Sequence, residues 1–564
     1  MTARVAASEQ RFILDHVAGF GRVTATEHFA ETGRETVAAV LDEAARLADE
    51  VLAPLNRAGD LHPPVLEGGG LRTTPGYREG YRAIAEGGWI GLPAARRYGG
   101  AGLPRTLSTC VNELFAGACL ALQLKPLLSQ GQILALETHA DERLRALCLP
   151  RLVSGDWSGT MDLTEAQAGS DVGAVRTAAE ADADGSFRIT GEKIFITWGE
   201  SDLVANVCHL VLARLPGAAP GTRGLSLFLV PKRLPDAEGA PGEANSLRAL
   251  RLEHKLGIHG APTCTMRLDG ARGWLVGTPH RGMAAMFTMM NEARLGVGMQ
   301  GVGVAQAALA MAGSYAAVRV QGRTTGRDTG IIGHPDVRRM LAESAARVFA
   351  ARAIGLSCAV AIDMAKATGG DGWRARAALL TPLAKVCGTE TGIAVADMGI
   401  QVHGGAGYVE ETGAAQLLRD VRITAIYEGT NGIQAIDLAG RKLDEYGAVL
   451  LAMIEETGTA ARRSPLGALA EPVAEAATRL GAATARFRAL GAEDRLAGAL
   501  PWLRALALLF GAGAHLAAAE ADAARLPLAR VMIARLLPAH QGLMAAALSG
   551  AGDLFAAVPS SGGG

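Results

Sequence analysis

At 564 residues the chain exceeds what one compact core holds, and a length prior gives about three to four domains. It is 49% hydrophobic and 20% charged with a formal net charge of −1, the composition of a well-packed soluble protein, and nothing in that balance favours a nucleic acid or an acidic surface as partner. Seven cysteines, Cys110, Cys119, Cys148, Cys208, Cys264, Cys358 and Cys387, lie at irregular spacing without a CxxC pair, which reads as reduced intracellular thiols and against a disulfide or zinc framework.

The opening "MTARVAASEQRFILDHV" lacks the apolar core of a signal peptide, so a cytoplasmic protein is expected. In "ETVAAVLDEAARLADEVLAPL", Val37, Val40, Leu41, Ala44, Ala48, Val51 and Leu52 follow the i, i+3, i+4, i+7 rule of a helix, and Pro54 is expected to close it. Glycine clusters in "EGGG" and "RYGGAGLP" mark loops before helical patterns resume in "TLSTCVNELFAGACLALQ" and "DERLRALCLPRLVSG".

After residue 158 the texture turns to strands. Asp184-Gly185 in "ADADGSFRITGEKIFITWG" signals a hairpin, and "ANVCHLVLARL", "GLSLFLVP" and "PTCTMRLDGARGWLVG" alternate between Gly/Pro turns. From "RGMAAMFTMMNEARLGVGMQ" the chain returns to Ala-rich helices as far as "DLAGRKL", and more helices follow. Residues 446–564 hold ten Arg, no Lys and nine Asp/Glu, close to neutral, and end in a Gly-rich tail expected to fray. The run "ALALLFGAGAHLAAA", bounded by Arg504 and Glu520, is shorter than the ~20 residues that cross a bilayer, so no transmembrane segment is expected.

"GVGMQG", Gly296 to Gly301, matches GxGxxG, but no strand precedes it and no β-α-β unit follows. Glycines that let two helices approach are the better reading. "MDLTEAQAGSDVG", Met161 to Gly173, clusters small residues and hydroxyls where helices give way to strands. Such a loop binds a polar ring or an anion, or is a plain turn capped by Asp171. "QVHGGAGY", Gln401 to Tyr408, admits a ligand's close approach or simply joins helices, and Arg319, Arg323 and Arg327 suit phosphates or a solvated face. His403, His254 and His259 lack metal-ligand spacing with a third donor, and no metal is expected. "AIYEGTNGIQ", Ala425 to Gln434, sets Glu428 between apolar flanks, where a carboxylate is costly to bury and its pKa tends to rise.

In this order, "LTEAQAGSD", "KIFITWG", "MNEARLGVG", "QVHGGAGY" and "IYEGTNGIQ" resemble the acyl-CoA dehydrogenase family of flavoproteins over about residues 30 to 445. "FILDHVAGF", "GIHG", "HPDVRRML" and the added C-terminal helices are similar to a long bacterial branch of it, which includes dehydrogenases of 3-methylthiopropionyl-CoA. The resemblance implies a mostly α, α+β multidomain fold. An N-terminal helical domain (1–158) precedes a middle β-barrel (159–275), then a helical bundle (276–445) with FAD between the last two, and a further helical domain (446–564).

It implies that Glu428 removes the α-proton of an acyl-CoA while the β-hydrogen leaves as hydride to the flavin. Met161, Leu163, Thr164, Gly169, Ser170, Phe195 and Thr197 would contact the flavin, and Ser170 also the substrate. Arg319, Gln401, Gly404 and Gly405 would reach the FAD of a neighbouring subunit in a homodimer or larger oligomer, Thr430 would help hold the cofactor, and Asn291, Arg294 and Tyr427 would lie along the substrate. Electrons would pass to electron-transfer flavoprotein. Some members carry the base just before the arginine of the "NEAR" motif. That place is Ala293 here, and Glu292 lies about 100° around the helix. Ala166, Asn291 and Trp198 depart from the usual proline, Asp and smaller residue, which bears on substrate shape and on how firmly the flavin loop is held. A flavin oxidase or monooxygenase on the same scaffold is the alternative. A flavin-bearing DNA-associated relative would want a basic C-terminal surface, which this chain lacks.

Overall fold

The computed structural model describes residues 2–68, 70–236, 238–324 and 329–558. Arg327 and residues 559–564 of the tail lie outside the described residues. The chain is mostly helical with one seven-stranded sheet. It divides into two compact units, Leu41–Gly296 and the described residues on either side of it. This division differs from the four segments drawn from texture, because residues 2–40 group with the chain after 296, and residues 446–558 group with 297–445.

At the start of the Leu41–Gly296 unit, helix Arg34–Leu47 passes through a π turn, Ala48–Leu52, into helix Ala53–Leu61. Pro54 therefore does not close the helical run. It has no N–H to donate one turn back, and the wider turn before it absorbs that loss. Helix Arg105–His139 leaves helical geometry at Cys119 and carries Pro126. Helix Glu142–Ser154 opens on Asp141, whose carboxylate accepts from the Leu144 N–H at 2.8 Å, and ends at left-handed Gly155.

The sheet strands are β1 (Trp157–Asp162), β2 (Ala178–Ala181), β3 (Phe187–Thr197), β4 (Asn206–Arg214), β5 (Leu225–Pro231), β6 (Leu247–Leu252) and β7 (Thr263–Val276). Their order is β6-β7-β3-β2-β4-β1, and β5 pairs with both β7 and β4. The β2–β3 hairpin turns through Gly185, where the Asp182 N–H donates to the Ser186 carbonyl at 2.8 Å, as the Asp-Gly pair predicts. β1 runs parallel to β4, and β2 meets β4 through one pair, Ala178 with Arg214. Pairings around β7-β3-β2-β4-β5 thus return to β7 only through that single pair, and the seven strands form one sheet. Ile189, Ile196, Val211, Phe228, Val230, Met266 and Leu268 form its core.

The second unit is helical. Glu9 of the N-terminal helix Thr2–His16 pairs with the fully buried Arg352 at 3.2 Å and with Arg525, whose guanidinium also lies 4.2 Å from the Phe12 ring. Gly298 and Gly301 of "GVGMQG" lie in helix Gly282–Val318 and face helix Asp371–His403. A Cβ on Gly298 would come within 2.6 Å of the Ala384 carbonyl oxygen, and one on Gly301 would strike that of Gly388. Close helix approach is what these glycines serve.

Helices Arg105–His139, Gly282–Val318, Pro335–Thr368 and Ala492–Ala521 are long and apolar enough, by length and composition, to cross a membrane. Their apolar windows are 94%, 78%, 83% and 50% buried, so most of that surface is used inside the protein. The last contains "ALALLFGAGAHLAAA", which the structure extends to a 30-residue helix, so shortness does not argue against a span. Burial does, since Arg504 is the only exposed residue between 498 and 519.

Gly298→Ala should destabilise the protein by about 1–3 kcal/mol, although alanine is the better helix former by about 1 kcal/mol. Gly313→Ala on the same helix, where the new methyl meets nothing within 4 Å, should leave stability unchanged or raise it, and paired thermal melts compare the two.

Candidate active site

In the Leu41–Gly296 unit the loop from Leu163 to Ser170 leaves the end of β1 and is tied to β3. The Ile194 N–H donates to the Thr164 carbonyl at 2.9 Å, and the Lys193 ammonium donates to the Leu163 carbonyl at 3.0 Å. That ammonium is fully buried and also reaches Glu165 Oε1 at 2.9 Å. The Glu165 carboxylate accepts further bonds from the Thr177 hydroxyl at 2.6 Å and from the Arg176 and Thr177 N–H groups. Burial alone would raise the Glu165 pKa. The Lys193 charge and these donors outweigh it and hold the acid at about 2. Two backbone bonds between Glu165 and Ala168 close the turn that carries Ala166, so the missing proline does not leave it loose. Met161 is half-buried, and Gly169 and Ser170 are exposed at the far end of the loop. Asp171 caps the following turn with its backbone carbonyl only, contrary to the side-chain cap considered from the sequence. Beneath the loop, His209 Nδ1 and Asp162 Oδ2 lie 3.0 Å apart and almost wholly buried.

β3 carries Phe195 on a bulge. Its pairing to β7 jumps from Ile196–Cys264 to Lys193–Met266, and Phe195 takes φ +61°, a left-handed value that costs an aromatic residue of order 1–3 kcal/mol. The result is a ring 59% exposed beside the loop. Thr197, half-buried, accepts from the Thr160 hydroxyl at 3.0 Å through its carbonyl, which brings it to the loop's root on β1. Trp198 turns the other way. It is fully buried, its indole N–H donates to the Ala121 carbonyl at 3.2 Å, and its bulk fills the unit's core. The expected effect of Trp198 on substrate shape is not supported by that placement.

Asn291 is exposed and accepts from Arg294 Nη1 at 3.2 Å; the rest of the Arg294 guanidinium lies 5.5 Å from the Phe287 ring. Between them Ala293 is buried and Glu292 forms a largely buried ion pair with Arg105. Glu292 is thus engaged as a structural acid, facing away from the arginine of its own motif.

In the other unit Glu428 is half-buried, less enclosed than its apolar flanks predict, because Ile426 beside it stands exposed. Glu428 takes φ +57° and Gly429 φ +85°, two successive left-handed residues. Both flanks are anchored. On one side the Tyr427 hydroxyl donates to Oε1 of the fully buried Gln300. Burial, and then the neighbouring Glu428 carboxylate, push that phenol far above its usual range. On the other side the Thr430 hydroxyl caps helix Asn431–Asp437 by accepting from the Ile433 N–H at 3.2 Å, and Asn431 Oδ1 accepts from the buried Lys385 ammonium at 2.8 Å. The Gln434 amide reaches the Glu428 carbonyl at 3.4 Å.

Arg319, exposed just past helix Gly282–Val318, and the Gln401–Gly405 stretch at the end of helix Asp371–His403 share a neighbourhood through the Tyr315 and His403 rings, stacked 4.4 Å apart. Gln401, Gly404 and Gly405 are exposed, whereas His403 is buried with Nδ1 2.7 Å from the Gly399 carbonyl, a structural histidine. Arg323 is exposed.

Residues 24–156, 160–271 and 280–443 match the N-terminal, middle and C-terminal domains of acyl-CoA dehydrogenases in turn. The chain belongs to the acyl-CoA dehydrogenase family. It is therefore an oxidoreductase of a family of FAD flavoproteins. It is 39% identical over 550 residues to 3-methylmercaptopropionyl-CoA dehydrogenase of Ruegeria pomeroyi, covering 93% of this chain and 92% of that one. It is 36% identical over 469 residues to a broad-specificity linear acyl-CoA dehydrogenase of Mycobacterium tuberculosis, covering 79% and 76%. Among solved structures, ACDH-11 of Caenorhabditis elegans in complex with C11-CoA superposes with a TM-score of 0.79 at 22% identity, over 94% of this chain and 90% of that one. An acyl-CoA dehydrogenase complexed with FAD from Bacillus anthracis gives 0.76 at 21%, over 92% and 89%, so both show the shared fold.

Several supports of these acyl-CoA dehydrogenase motifs escaped sequence reasoning. Gln300 sits inside a glycine-rich helical run that reads as packing, and Lys385 lies in an Ala-rich helix. Lys193, which leads into the apolar run Ile194–Ile196 of a strand that also carries Arg188 and Glu192, was the visible signal. Lys125 is another: it is fully buried against Ser158 at 2.7 Å, and burial pushes its pKa down to about 7.

Lys193→Met should cost about 3–5 kcal/mol, because it strands a buried carboxylate. Glu165 has a folded pKa below its unfolded 4.5, so the stability it contributes is present above pH 4.5 and lost as pH falls toward about 2. Melting temperatures of wild type and Glu165→Gln, measured across that window, should show a shallower acid limb in the variant.

Proposed function

We propose that this protein is an FAD-dependent dehydrogenase that converts an acyl-CoA to its trans-2-enoyl-CoA, with Glu428 as the base. The observation that carries this is the carboxylate of Glu428, set in a left-handed turn and anchored through Tyr427 and Gln300 on one side and Thr430, Asn431 and Lys385 on the other. Where a bound acyl-CoA displaces water from this half-buried carboxylate, it would act as a stronger base toward a carbon acid than a solvated Glu of pKa ~4.3. Glu428 takes the α-proton onto a carboxylate oxygen, and no other candidate serves as well: Ala293 has no basic atom and Glu292 is paired with Arg105.

The residues suit an isoalloxazine. Phe195 is held out of its own strand's packing on a left-handed bulge, as an aromatic platform would be, next to a loop fixed by Lys193 and Glu165. FAD held by Met161, Leu163, Thr164, Gly169, Ser170, Phe195, Thr197 and Thr430 would supply the acceptor for the β-hydride. Arg319, Gln401, Gly404 and Gly405, all exposed, are proposed to meet the cofactor of a neighbouring subunit in a homodimer or larger oligomer. Ser170, Asn291, Arg294 and Tyr427 are proposed to line the thioester, and closure of the sheet into a barrel to complete the middle domain. Likeness to the R. pomeroyi enzyme over nearly the whole chain supports a short or medium acyl group, 3-methylthiopropionyl among them. Electron-transfer flavoprotein is the proposed acceptor. The cytoplasm is the proposed site, supported by seven free cysteines of which six are buried.

Anaerobic titration of the yellow protein with an acyl-CoA series should bleach the flavin, most readily with short or medium chains, and the reduced flavin should persist in air. Rapid reoxidation by O₂ would favour an oxidase. Glu428→Gln should retain FAD and lose bleaching by at least about a hundredfold in rate; bleaching at the wild-type rate would move the base elsewhere.

A further inference from the structure

Gln300 is a fully buried amide in a helix whose neighbouring positions are glycines and apolar residues. A buried amide is retained only where its polar atoms are matched. Here its Oε1 accepts from the Tyr427 hydroxyl, the far end of the side chain immediately before Glu428. Tyr427 is also held at its backbone, where its N–H donates to the Ile423 carbonyl at 3.1 Å. A residue fixed at both its peptide and its hydroxyl sets the plane of the peptide that leads into the left-handed Glu428. The opposite flank is fixed independently through Thr430 and Asn431. Release of one flank lets a strained backbone relax toward ordinary φ values, and the carboxylate swings with it.

We propose that Gln300 is a positioning residue for the base: acting through the Tyr427 hydroxyl, it holds the Glu428 carboxylate in the orientation that α-proton removal requires. The proposal rests on the reading of Glu428 as the base. Gln300 touches no reacting atom; its contribution is geometric, and misplacing a catalytic group by about 1 Å costs up to roughly a hundredfold in rate.

The test uses the FAD-loaded full chain with Gln300→Met, Tyr427→Phe and the double variant. Single-turnover flavin reduction and the acyl-CoA dissociation constant from calorimetry are both measured. Each single change should slow reduction roughly tenfold while the dissociation constant stays within about twofold, since Tyr427→Phe keeps the ring that would line the thioester and removes only the hydroxyl bonded to Gln300. The double variant should be no slower than the slower single one, because both remove the same hydrogen bond. If losses multiply in the double variant, or Gln300→Met reduces at the wild-type rate, the positioning role is overturned. A change confined to the dissociation constant overturns it equally. Should Gln300→Met not fold, Tyr427→Phe removes one oxygen from the same bond and decides alone: a wild-type rate overturns the role. Failure of the wild-type chain to be reduced by any acyl-CoA would instead overturn the reaction itself.

Discussion

The constraint on which the candidate site depends is a pair of consecutive left-handed residues, Glu428 and Gly429. Glycine adopts that region freely, but a glutamate there costs of order 1–3 kcal/mol and persists only where its surroundings hold it. The surroundings do so from two directions. Tyr427 is bonded to a side chain of helix Gly282–Val318, and Asn431 to one of helix Asp371–His403. Those two helices can serve as one frame because they lie unusually close, with Gly298, Gly301 and Gly388 presenting bare backbone to each other. The glycine run that imitates a nucleotide-binding motif is thus part of what fixes the carboxylate.

The Leu41–Gly296 unit solves a similar problem by electrostatics. Its loop after β1 has few side chains able to pack, since Ala166, Ala168 and Gly169 are small. Rigidity comes from Lys193, whose ammonium holds the Leu163 carbonyl and Glu165 together. A buried ion pair seldom adds net stability over an apolar pair of the same volume, because desolvation offsets the attraction. Its value here is directional. The ammonium and the carboxylate satisfy each other only when the loop follows one path, which leaves Gly169 and Ser170 exposed at its far end.

Much of this was legible in the sequence, and the limits have physical causes. Asp184-Gly185 announced its hairpin because few pairs accept a tight turn so readily. The helices around residues 105–139 and 282–318 were visible from composition and length. β1, "WSGTMD", was not: a short strand buried on both faces has no alternation to read. Pro54 misled because a π turn ahead of it is a tertiary accommodation with no local signature. Trp198 reads as a change bearing on substrate shape, yet its own left-handed backbone, φ +56°, and the Ala121 carbonyl that receives its indole N–H set it in the core. Glu428 was recognisable from its motif, whereas Gln300, 128 positions earlier, owes its meaning wholly to the fold.

The residues after 446 follow from the same logic of apolar surface seeking cover. Helix Pro335–Thr368 is 34 residues long and strongly apolar, and helix Ala492–Ala521 packs on it with Gly511 against Ala350. His515 of that helix is buried beside the Phe349 ring, its Nε2 3.0 Å from the Ala346 carbonyl, and burial pushes its pKa down to about 4. The N-terminal helix then ties both elements, through Glu9, to the fully buried Arg352 and to Arg525. An arginine with no exposed surface requires its carboxylate partner to stay in place. Residues from the two ends of the chain and its middle therefore stabilise one another, which accounts for their falling in one compact unit.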